Sequence, residues 1–393
     1  MVLPTPKRIK RQVIGRTHTF FAATPPGLES ICAQEIATLP VDIAHTTIVS
    51  GGVEFEGRLN SCYTANLYLR IPTRILMRLT QFKATNFRQL ETMAARFPWE
   101  LHIPPSIELV FSVKTTHSRL FHTNAIAQRL EASIRGRVPS LLSGKSTLQP
   151  SKTPQRLYVR VVDDRVSISL DSSGQLLFKR GLKHNVGDAP IRETLAATIL
   201  NLSGYDGSQT LLDPMCGSGS FSLEAAMIAK NIPPGFYRRF AFMEWPAFRE
   251  AHWRHLKQKA SAKIQCMQSA TIFASDRDTR RTTALKEILD QFELSDAVQP
   301  ACRDFFTLNP GHVTDKPGLL VLNPPFGVRM QSNGELKKFY ADMMKKLASD
   351  YLHWQIALLV KDRTIAKQLS KKFKRLPLNH GGIDLVLCIG VFK

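Results

Sequence analysis

The sequence lacks several features that would place it in other classes of protein. No run of eighteen apolar residues occurs among its 393 residues, whereas a membrane-spanning helix needs about 20. The N-terminus has no apolar core of the kind found in secretory signal peptides. Six cysteines are present without a Cys-x-x-Cys pair, which argues against a zinc site or a disulfide framework. These absences predict a cytoplasmic protein that has reduced thiols, binds no metal and contacts no membrane.

Acidic residues are scarce. The sequence has 32 Asp and Glu residues against 53 Lys and Arg, which gives a formal net charge of +21. The excess is larger in residues 1–184, which hold 25 basic and 12 acidic side chains, and no acid precedes Glu29. A surplus of this size predicts a polyanionic partner, either RNA or DNA. The basic stretch Lys7–Arg11 is either a nucleic-acid-binding arm or a solvated tail.

A short apolar run in the C-terminal half ends abruptly. Leu319–Leu322 is followed by Asn323-Pro324-Pro325-Phe326. An apolar run of this length predicts a buried strand of a parallel sheet, and two prolines, which have no backbone N–H to donate, must end it. The loop then offers an amide, two carbonyl groups and an aromatic ring, which suits a flat base that carries an amino group.

A second strand-to-loop signal lies upstream. Thr210–Asp213 leads into the turn Pro214–Ser220, which contains Gly217 and Gly219, and then into a helical pattern. A glycine turn between a strand and a helix lets a ligand approach the backbone amides. The NAD fingerprint requires Gly or Ala three residues after Gly219, and that position is Ser222, so a dinucleotide site is disfavoured.

Together the two signals resemble the class I, S-adenosylmethionine-dependent methyltransferases that act on exocyclic amino groups. In that family an Asp-x-x-x-Gly-x-Gly loop binds the methionine part of the cofactor, and an Asn-Pro-Pro-aromatic loop binds the target amine. The resemblance implies a catalytic set formed by Asn323, Pro324, Pro325 and Phe326. It also implies a cofactor-binding set: Thr194, Asp213, Pro214, Cys216, Gly217, Ser218, Gly219, Asp276, Arg277, Asp304, Phe305 and Asn323.

Carboxylates after two further strands have implied roles toward the cofactor. Asp276 would bind both ribose hydroxyls, because an ionised carboxylate offers only acceptors; Asp278 is the second candidate. An alternative role for Asp276 is to cap a helix beginning near Thr279. Asp304 and Phe305 resemble the pair that meets the adenine amine and ring, although Asp304 also fits an ordinary loop acid.

The implied chemistry is direct displacement. The lone pair of an exocyclic amine is delocalised into the ring, so catalysis must localise it and aim it at the methyl group. The side-chain oxygen of Asn323 and the carbonyl of Pro324 can accept both amine hydrogens, and Phe326 can stack on the base. Proximity and charge stabilisation then suffice. The base must be unpaired or flipped to reach such a pocket.

The N-terminal half predicts a β-α-β-α-β order from His18 to Gln81, then a helix at Asn124–Ile134 and a hairpin turning at Asp163-Asp164. Its segments Phe21–Glu29, Gly51–Gly57, Arg74–Leu79 and Leu170–Gly181 resemble the ferredoxin-like plus THUMP arrangement of RNA-modifying enzymes. With the C-terminal motifs, the chain resembles the bacterial 23S rRNA guanine-N2 methyltransferases. We therefore expect methylation of the N2 amine of an RNA guanosine; alternatives are a tRNA guanosine, a nucleic-acid adenine N6 amine, and a non-catalytic RNA-binding protein.

The predicted fold is α/β. It comprises a basic tail (1–17), a ferredoxin-like domain (18–81, completed by later strands), a THUMP RNA-binding domain (82–184) and a methyltransferase domain (185–393). The last begins with a helix at Asp188–Ala197 and forms a seven-stranded, doubly wound, Rossmann-like sheet. No obligate protein partner is evident. Candidates for phosphate contacts, or else solvated linker charges, are Arg180, Lys183, His184 and Arg329.

Overall fold

The computed structural model describes residues 5–104, 107–138, 154–183, 191–324, 333–361, 363–369, 372–380 and 382–392. The chain divides into two compact units. Unit 1 comprises Met1–Leu177 and Arg238–Gln258, and unit 2 comprises Phe178–Tyr237 and Lys259–Lys393. Among the described residues, no helix is long and apolar enough to cross a membrane.

Unit 1 is built on a seven-stranded sheet. The strands are β1 His18–Ala23, β2 His45–Val49, β3 Gly52–Gly57, β4 Arg74–Lys83, β5 Leu109–Thr116, β6 Gln155–Val162 and β7 Arg165–Asp171. Their order is β2-β3-β1-β4-β7-β6-β5. The pairing of β4 with β7 joins the β-α-β-α-β segment to later strands of the same sheet. The β6–β7 hairpin turns at Asp163 and Asp164, which both have positive φ, as the sequence predicts.

Unit 2 contains the predicted seven-stranded, doubly wound sheet. Its strands are β8 Leu211–Asp213, β9 Ile272–Asp276, β10 Val298–Cys302, β11 Leu319–Leu322, β12 Gln355–Val360, β13 Lys374–His380 and β14 Ile383–Val391. The order is β10-β9-β8-β11-β12-β14-β13. The first five strands are parallel, and β14 pairs antiparallel with both neighbours. From β8 the chain adds strands first on one side and then on the other, which places the topological switch point between β8 and β11.

The helices run in chain order as α1 Pro6–Ile9, α2 Glu29–Ala37, α3 Leu59–Tyr68, α4 Phe87–Arg96, α5 Thr123–Arg137, α6 Glu193–Leu202, α7 Ser220–Ala229, α8 Glu250–Ser261, α9 Thr279–Gln291, α10 Asn333–Asp350 and α11 Arg363–Gln368. The helix predicted at Asp188–Ala197 begins later than expected. Arg192 is extended, and the first helical residue is Glu193; residues 188–190 lie outside the described residues.

The aromatic-rich segment Arg238–Gln258 interrupts the methyltransferase half in sequence but packs within unit 1. The ring of Phe242 stacks on that of Tyr63 with centroids 4.5 Å apart. Trp245 is buried, and its indole N–H donates to the side-chain oxygen of Gln155 at 2.9 Å. Buried aromatic groups with satisfied polar ends dominate the packing of such segments. The sequence placed this segment with the methyltransferase domain, and its contacts place it in unit 1.

Candidate active site

Four neighbouring parallel strands end at one edge of the unit 2 sheet, and each delivers a polar side chain there. Asp213 and Asp276 are the last residues of β8 and β9, Asn323 follows β11, and Asp304 follows β10. Ligands of open α/β sheets bind beyond the carboxyl ends of the strands at the switch point. The edge therefore collects the acids and the amide that the sequence singled out, in the spatial order 304, 276, 213 and 323.

The turn between β8 and α7 depends on its two glycines. Gly217 and Gly219 have φ values of +54° and +74°, a region that L side chains rarely adopt. A Cβ atom at Gly219 would lie 2.5 Å from Cδ1 of Leu285. The turn is tied to β9, because the amide of Cys216 donates to the carbonyl of Ser275 at 2.9 Å. This hydrogen bond fixes the turn at the start of α7. The first amides of a helix have no partner within the helix, so they are available here to a ligand beyond the strand ends.

Asp213 lies beneath this turn and is 1% exposed. Its Oδ2 accepts a hydrogen bond from the hydroxyl of Ser222 at 2.6 Å. Burial raises the pKa of Asp213 to about 7; the hydrogen bonds from Ser222 and the charge of Lys183 oppose that rise, and the nearby Asp276 adds to it. A carboxyl group in this position is poised to change charge when a cation binds above it.

Lys183 supports the same turn from the preceding segment. Its Nζ donates to the hydroxyls of Ser218 at 3.2 Å and Ser220 at 2.8 Å, and it pairs with Glu193 at 3.1 Å. The side chain is only 6% exposed. The predictions of a phosphate contact or of a solvated linker charge at Lys183 are both wrong, because its ammonium group faces the turn.

The same correction applies to Arg180. Its Nε donates to Oε1 of Glu224 at 2.6 Å, and both side chains are almost completely buried. Loss of the Glu224 carboxylate would leave the charge of this guanidinium group buried without it, which strongly destabilises a folded protein. Arg180 therefore holds the start of unit 2 to α7 and is not a phosphate contact. His184 and Arg329 lie outside the described residues.

Asp276 presents a carboxylate with spare acceptor capacity. Its Oδ2 accepts from the amide of Gly217 and its Oδ1 from the amide of Asp278, each at 3.0 Å. Arg281 lies 3.7 Å away. An ionised carboxylate has about four acceptor sites, so a diol can still bind. The alternative role of helix cap belongs to Asp278 instead, whose side chain accepts from the amide of Arg280 at the start of α9.

The pair Asp304 and Phe305 divides between surface and core. Asp304 Oδ1 accepts from the amide of Phe306 at 2.7 Å and caps a short 3₁₀ turn. The ring of Phe305 is 3% exposed and stacks on Tyr351 with centroids 6.0 Å apart. The structure thus places that ring in the core and leaves Phe306 as the exposed aromatic ring, at 38%. The sequence predicts no role for Phe306, because nothing in the sequence distinguishes its exposure from that of Phe305.

Asn323 carries an unsatisfied acceptor. Its Oδ1 is buried and has no hydrogen-bond partner among the residues that the structure describes. A buried polar atom without a partner costs roughly 1–3 kcal/mol, which a ligand N–H would recover. Pro324 is buried beside it, whereas Pro325 and Phe326 lie outside the described residues.

The remaining predicted residues surround the turn. Thr194 is buried in the first turn of α6, and its carbonyl accepts from the hydroxyl of Thr198 at 2.7 Å. Pro214 is buried, Ser218 is partly exposed and Arg277 is exposed. Burial raises the pKa of the Cys216 thiol well above its usual value, so the thiolate that a nucleophile requires is disfavoured. Cys216 is a compact spacer in the turn.

A small cavity lies on one face of β8, β9 and β10, close to the same edge. It has a volume of about 120 Å³ and is lined partly by Leu212, Ser275, Gln299 and Arg303. Pockets for drug-sized ligands usually measure about 300–1,000 Å³. This cavity is too small for a nucleoside cofactor, so the strand ends above it are the better candidate site.

Comparisons with known proteins agree with this geometry. Residues 180–388 match the RMKL-like methyltransferase domain, and residues 19–76 match the RlmL ferredoxin-like domain. The first match covers more than half of the chain. The chain belongs to the RMKL-like methyltransferase family. The predictions of a methyltransferase, of its fold class and of a ferredoxin-like segment are confirmed.

Individual relatives of this methyltransferase span its length. It is 31% identical to the protein YpsC of Bacillus subtilis (strain 168) over 84% of each chain. It is 29% identical to the ribosomal RNA large subunit methyltransferase K/L of Magnetococcus marinus, over 93% of this chain and 52% of that one. This methyltransferase thus spans about half the length of the K/L enzyme. The crystal structure of SMU.472 complexed with SAH superposes with a TM-score of 0.83 and 26% identity, and covers 96% of this chain and 99% of that one.

Proposed function

We propose that this methyltransferase uses S-adenosylmethionine to methylate the N2 amine of a guanosine in large-subunit rRNA. The K/L relatives are named for large-subunit ribosomal RNA, and residues 19–76 match an RlmL domain. A formal charge of +21 favours a nucleic-acid substrate. The observation that carries the chemistry is the buried Oδ1 of Asn323, which has no hydrogen-bond partner within the described part of the chain. An amine hydrogen is the kind of donor that this atom can accept.

The residues at the strand ends fit the cofactor. The glycine turn has no side chains at Gly217 and Gly219 to keep the methionine end from the backbone, and Asp276 retains acceptors for a ribose diol. Asp304 is proposed to meet the adenine amine. The cofactor supplies an electrophilic methyl group. SAH in the structure of the SMU.472 protein supports this choice of ligand.

The chain's own residues then orient the base. Asn323 Oδ1 accepts one hydrogen of the target amine, and the Pro324 carbonyl is placed by sequence to accept the other. Two accepted hydrogen bonds draw electron density onto the amine nitrogen and fix its direction. Phe326 is proposed to hold the plane of the base by stacking. The base must be extruded or unpaired, because a paired base in a duplex cannot enter a pocket at the end of a buried strand.

The N-terminal segments are proposed to hold the RNA. We assign residues 1–17 as a basic tail, 18–81 as the ferredoxin-like domain completed by later strands, and 82–184 as a THUMP domain. Residues 185–393 form the catalytic domain, except for the segment Arg238–Gln258, which packs within unit 1. The basic excess of residues 1–184 supports an RNA-holding role. Six free cysteines support a reducing, cytoplasmic setting.

The test is nucleoside mass spectrometry on rRNA and tRNA, purified separately, from cells with and without the gene. Wild-type protein should restore N2-methylguanosine to the rRNA pool, and Asn323→Ala should not. Loss of one such electrostatic contact typically lowers turnover by about 10²-fold or more. Asn201→Ala, at an exposed position of α6, is the matched control and should restore the modification fully.

Other outcomes would redirect the proposal. A change confined to tRNA would move the substrate and keep the mechanism. A change in N6-methyladenosine would show that Asn323 accepts from the adenine amine instead. The remaining alternative is a non-catalytic RNA-binding protein, which calorimetric titration with S-adenosylhomocysteine tests. Such a protein would bind RNA but would neither bind this ligand nor transfer a methyl group.

A further inference from the structure

The unit 1 sheet has one buried face and one outward face. In β6, Leu157, Val159 and Val161 are buried, whereas Arg156, Tyr158 and Arg160, which alternate with them, are partly or fully exposed. Successive side chains of a strand point to opposite faces. Helix α5 packs against β5, and α4 packs against α5. A sheet with this burial pattern has its core on one side and solvent on the other.

The outward face carries two pairs of like charges that lie directly opposite each other. Lys114 of β5 is in register with Arg160 of β6, and Lys83 of β4 is in register with Arg165 of β7. All four are exposed. Side chains opposite each other in neighbouring strands have Cβ atoms about 4.5–5.5 Å apart, and like charges at this distance are destabilising. The fold therefore tolerates an electrostatic penalty at two places on one face.

The two pairs are neighbours. Arg160 is in register with Ser167 of β7, and Arg165 lies two residues before that serine and so points to the same face. In the part of the chain that the structure describes, none of the four cations forms an ion pair. The charges therefore form one continuous basic patch across β4, β7, β6 and β5, which we call the outer basic face, defined by Lys83, Lys114, Arg160 and Arg165.

Most carboxylates near this face are otherwise engaged. Asp171 of β7 is fully buried and pairs with Arg74. At the tip of the β6–β7 hairpin, Asp164 accepts from the amide of Arg119 at 2.8 Å and lies 3.9 Å from its guanidinium group. Glu54 of β3 pairs with Arg78 at 2.8 Å. Asp163, at the same hairpin tip, is exposed and forms no ion pair with the four cations. Among the described residues, the outer basic face therefore has no carboxylate paired with it.

Protection of a sheet edge does not explain the pattern. Lysines on edge strands prevent unwanted strand pairing, and β5 is an edge strand, so that role suits Lys114. The same role suits Lys83, because β4 pairs with β1 only as far as Met77 and with β7 alone at Lys83. It does not suit Arg160 and Arg165, which have register partners in both neighbouring strands. Two arginines held inside the sheet, each opposite a lysine, are better explained by a bound polyanion, which would turn the repulsion into attraction.

We propose that the outer basic face binds the phosphate backbone of the RNA substrate. The inference rests on the proposed function for the identity of the polyanion. Four side chains on a flat face contact successive phosphates without reading base edges, so they position the RNA and do not select its sequence. Binding through this face is expected to weaken steeply with salt, because each contacted phosphate releases bound counterions.

The test combines RNA affinity with stability. The variant Lys83→Gln/Lys114→Gln/Arg160→Gln/Arg165→Gln is compared with Arg88→Gln/Arg96→Gln, which removes exposed charges from α4. A double variant, Lys114→Gln/Arg160→Gln, matches that control in charge. The probe is a fluorescently labelled transcript of unmodified 23S rRNA, followed by anisotropy at several salt concentrations in the full-length protein.

The quadruple variant should bind RNA at least about tenfold more weakly at 0.1 M salt. The slope of log affinity against log salt concentration should be smaller in magnitude by about 3 for the quadruple variant and by about half of that for the double variant. The control should bind as the wild type does. The melting temperature of the quadruple variant should be unchanged or higher, because two repulsive pairs are gone, whereas residues needed only for folding would lower it.

Three results would overturn the inference: wild-type protein that does not bind the transcript, a quadruple variant that binds as tightly as wild type, or a control that loses as much affinity as the charge-matched double variant. Methyl transfer from radiolabelled cofactor into rRNA of the deletion strain is measured in parallel. Wild-type transfer with unaffected binding in the quadruple variant refutes only the outer basic face. Absence of transfer with charge-dependent binding refutes only the proposed reaction.

Discussion

Replacing Asp213 by Asn should flatten the dependence of stability on pH. Asp213 is buried at the end of β8, and its pKa is raised to about 7 from the usual 3.8. A carboxyl group whose pKa is higher in the folded chain holds its proton more tightly there than in the unfolded chain. The stability that it contributes is therefore complete below about pH 4 and is lost as pH rises through about 7.

The size of the effect follows from the shift. Between the two pKa values, each pH unit changes the free energy of unfolding by about 1.4 kcal/mol for one group. From pH 5 to pH 7, the wild type should therefore lose about 2–3 kcal/mol that Asp213→Asn retains. The asparagine side chain keeps an acceptor for the hydroxyl of Ser222, which donates to Asp213 at 2.6 Å, so the substitution leaves that hydrogen bond in place.

Guanidinium denaturation at pH 5, 6, 7 and 8, followed by circular dichroism, measures the difference. Asp315→Asn, at an exposed position, is the control and should follow the wild type. Saturating S-adenosylhomocysteine should also reduce the pH dependence of the wild type, because the ligand's ammonium group would favour the ionised carboxylate. Parallel stability curves for wild type and Asp213→Asn without ligand would refute the argument that burial raises this pKa.

Three further substitutions test the support of the cofactor turn. Gly219→Ala places a Cβ 2.5 Å from Leu285 at a φ of +74°, so thermal unfolding should show a loss of at least about 1–2 kcal/mol, and an unchanged melting temperature would contradict the strain. Glu224→Gln removes the charged partner of buried Arg180 and should lower the free energy of unfolding by about 3–5 kcal/mol. The double variant Arg180→Met/Glu224→Leu should lose less, and an equal loss in the two variants would argue against an unpaired buried charge. Lys183→Met removes the hydrogen bonds to the turn and should raise the cofactor Kd in calorimetry, whereas Lys183→Arg should lie closer to wild type; a wild-type Kd for Lys183→Met would show that the turn holds itself.

The strand-to-turn motifs could be predicted because their physical causes are local. Pro324 cannot donate a ladder hydrogen bond, and Gly219 permits a left-handed turn, so the ends of β11 and β8 are fixed by the residues themselves. Asp276 was identified for the same reason, since an acid after an apolar run falls at the carboxyl end of a strand. Adjacent parallel strands then bring these positions to one edge.

Other features depend on partners far away in the sequence. Strand β2, His45–Val49, was not predicted, because its side chains are mostly exposed and show no apolar alternation; it exists through its pairing with β3. Helix α4 was also missed, although Asn86 caps it by accepting from the amide of Gln89. The ring of Phe305 was expected at the cofactor, but packing against Tyr351 decides its position in the core.

The basic residues show most clearly why charge alone is a poor guide to function. In sequence, Arg180 and Lys183 look as free to meet a phosphate as Arg160 and Arg165. In the structure, Arg180 is buried against Glu224, and Lys183 holds the cofactor turn.

Arg160 and Arg165 instead lie exposed on the sheet, each opposite another cation. A net charge counts buried, paired cations and exposed, unpaired cations alike. Only strand register and burial distinguish the two groups. Cations that already have buried partners organise the fold, whereas cations held together against their own repulsion remain available to a polyanion. Sequence can count the charges of this chain, but the pairing of β4 with β7 and of β5 with β6 is what assigns them.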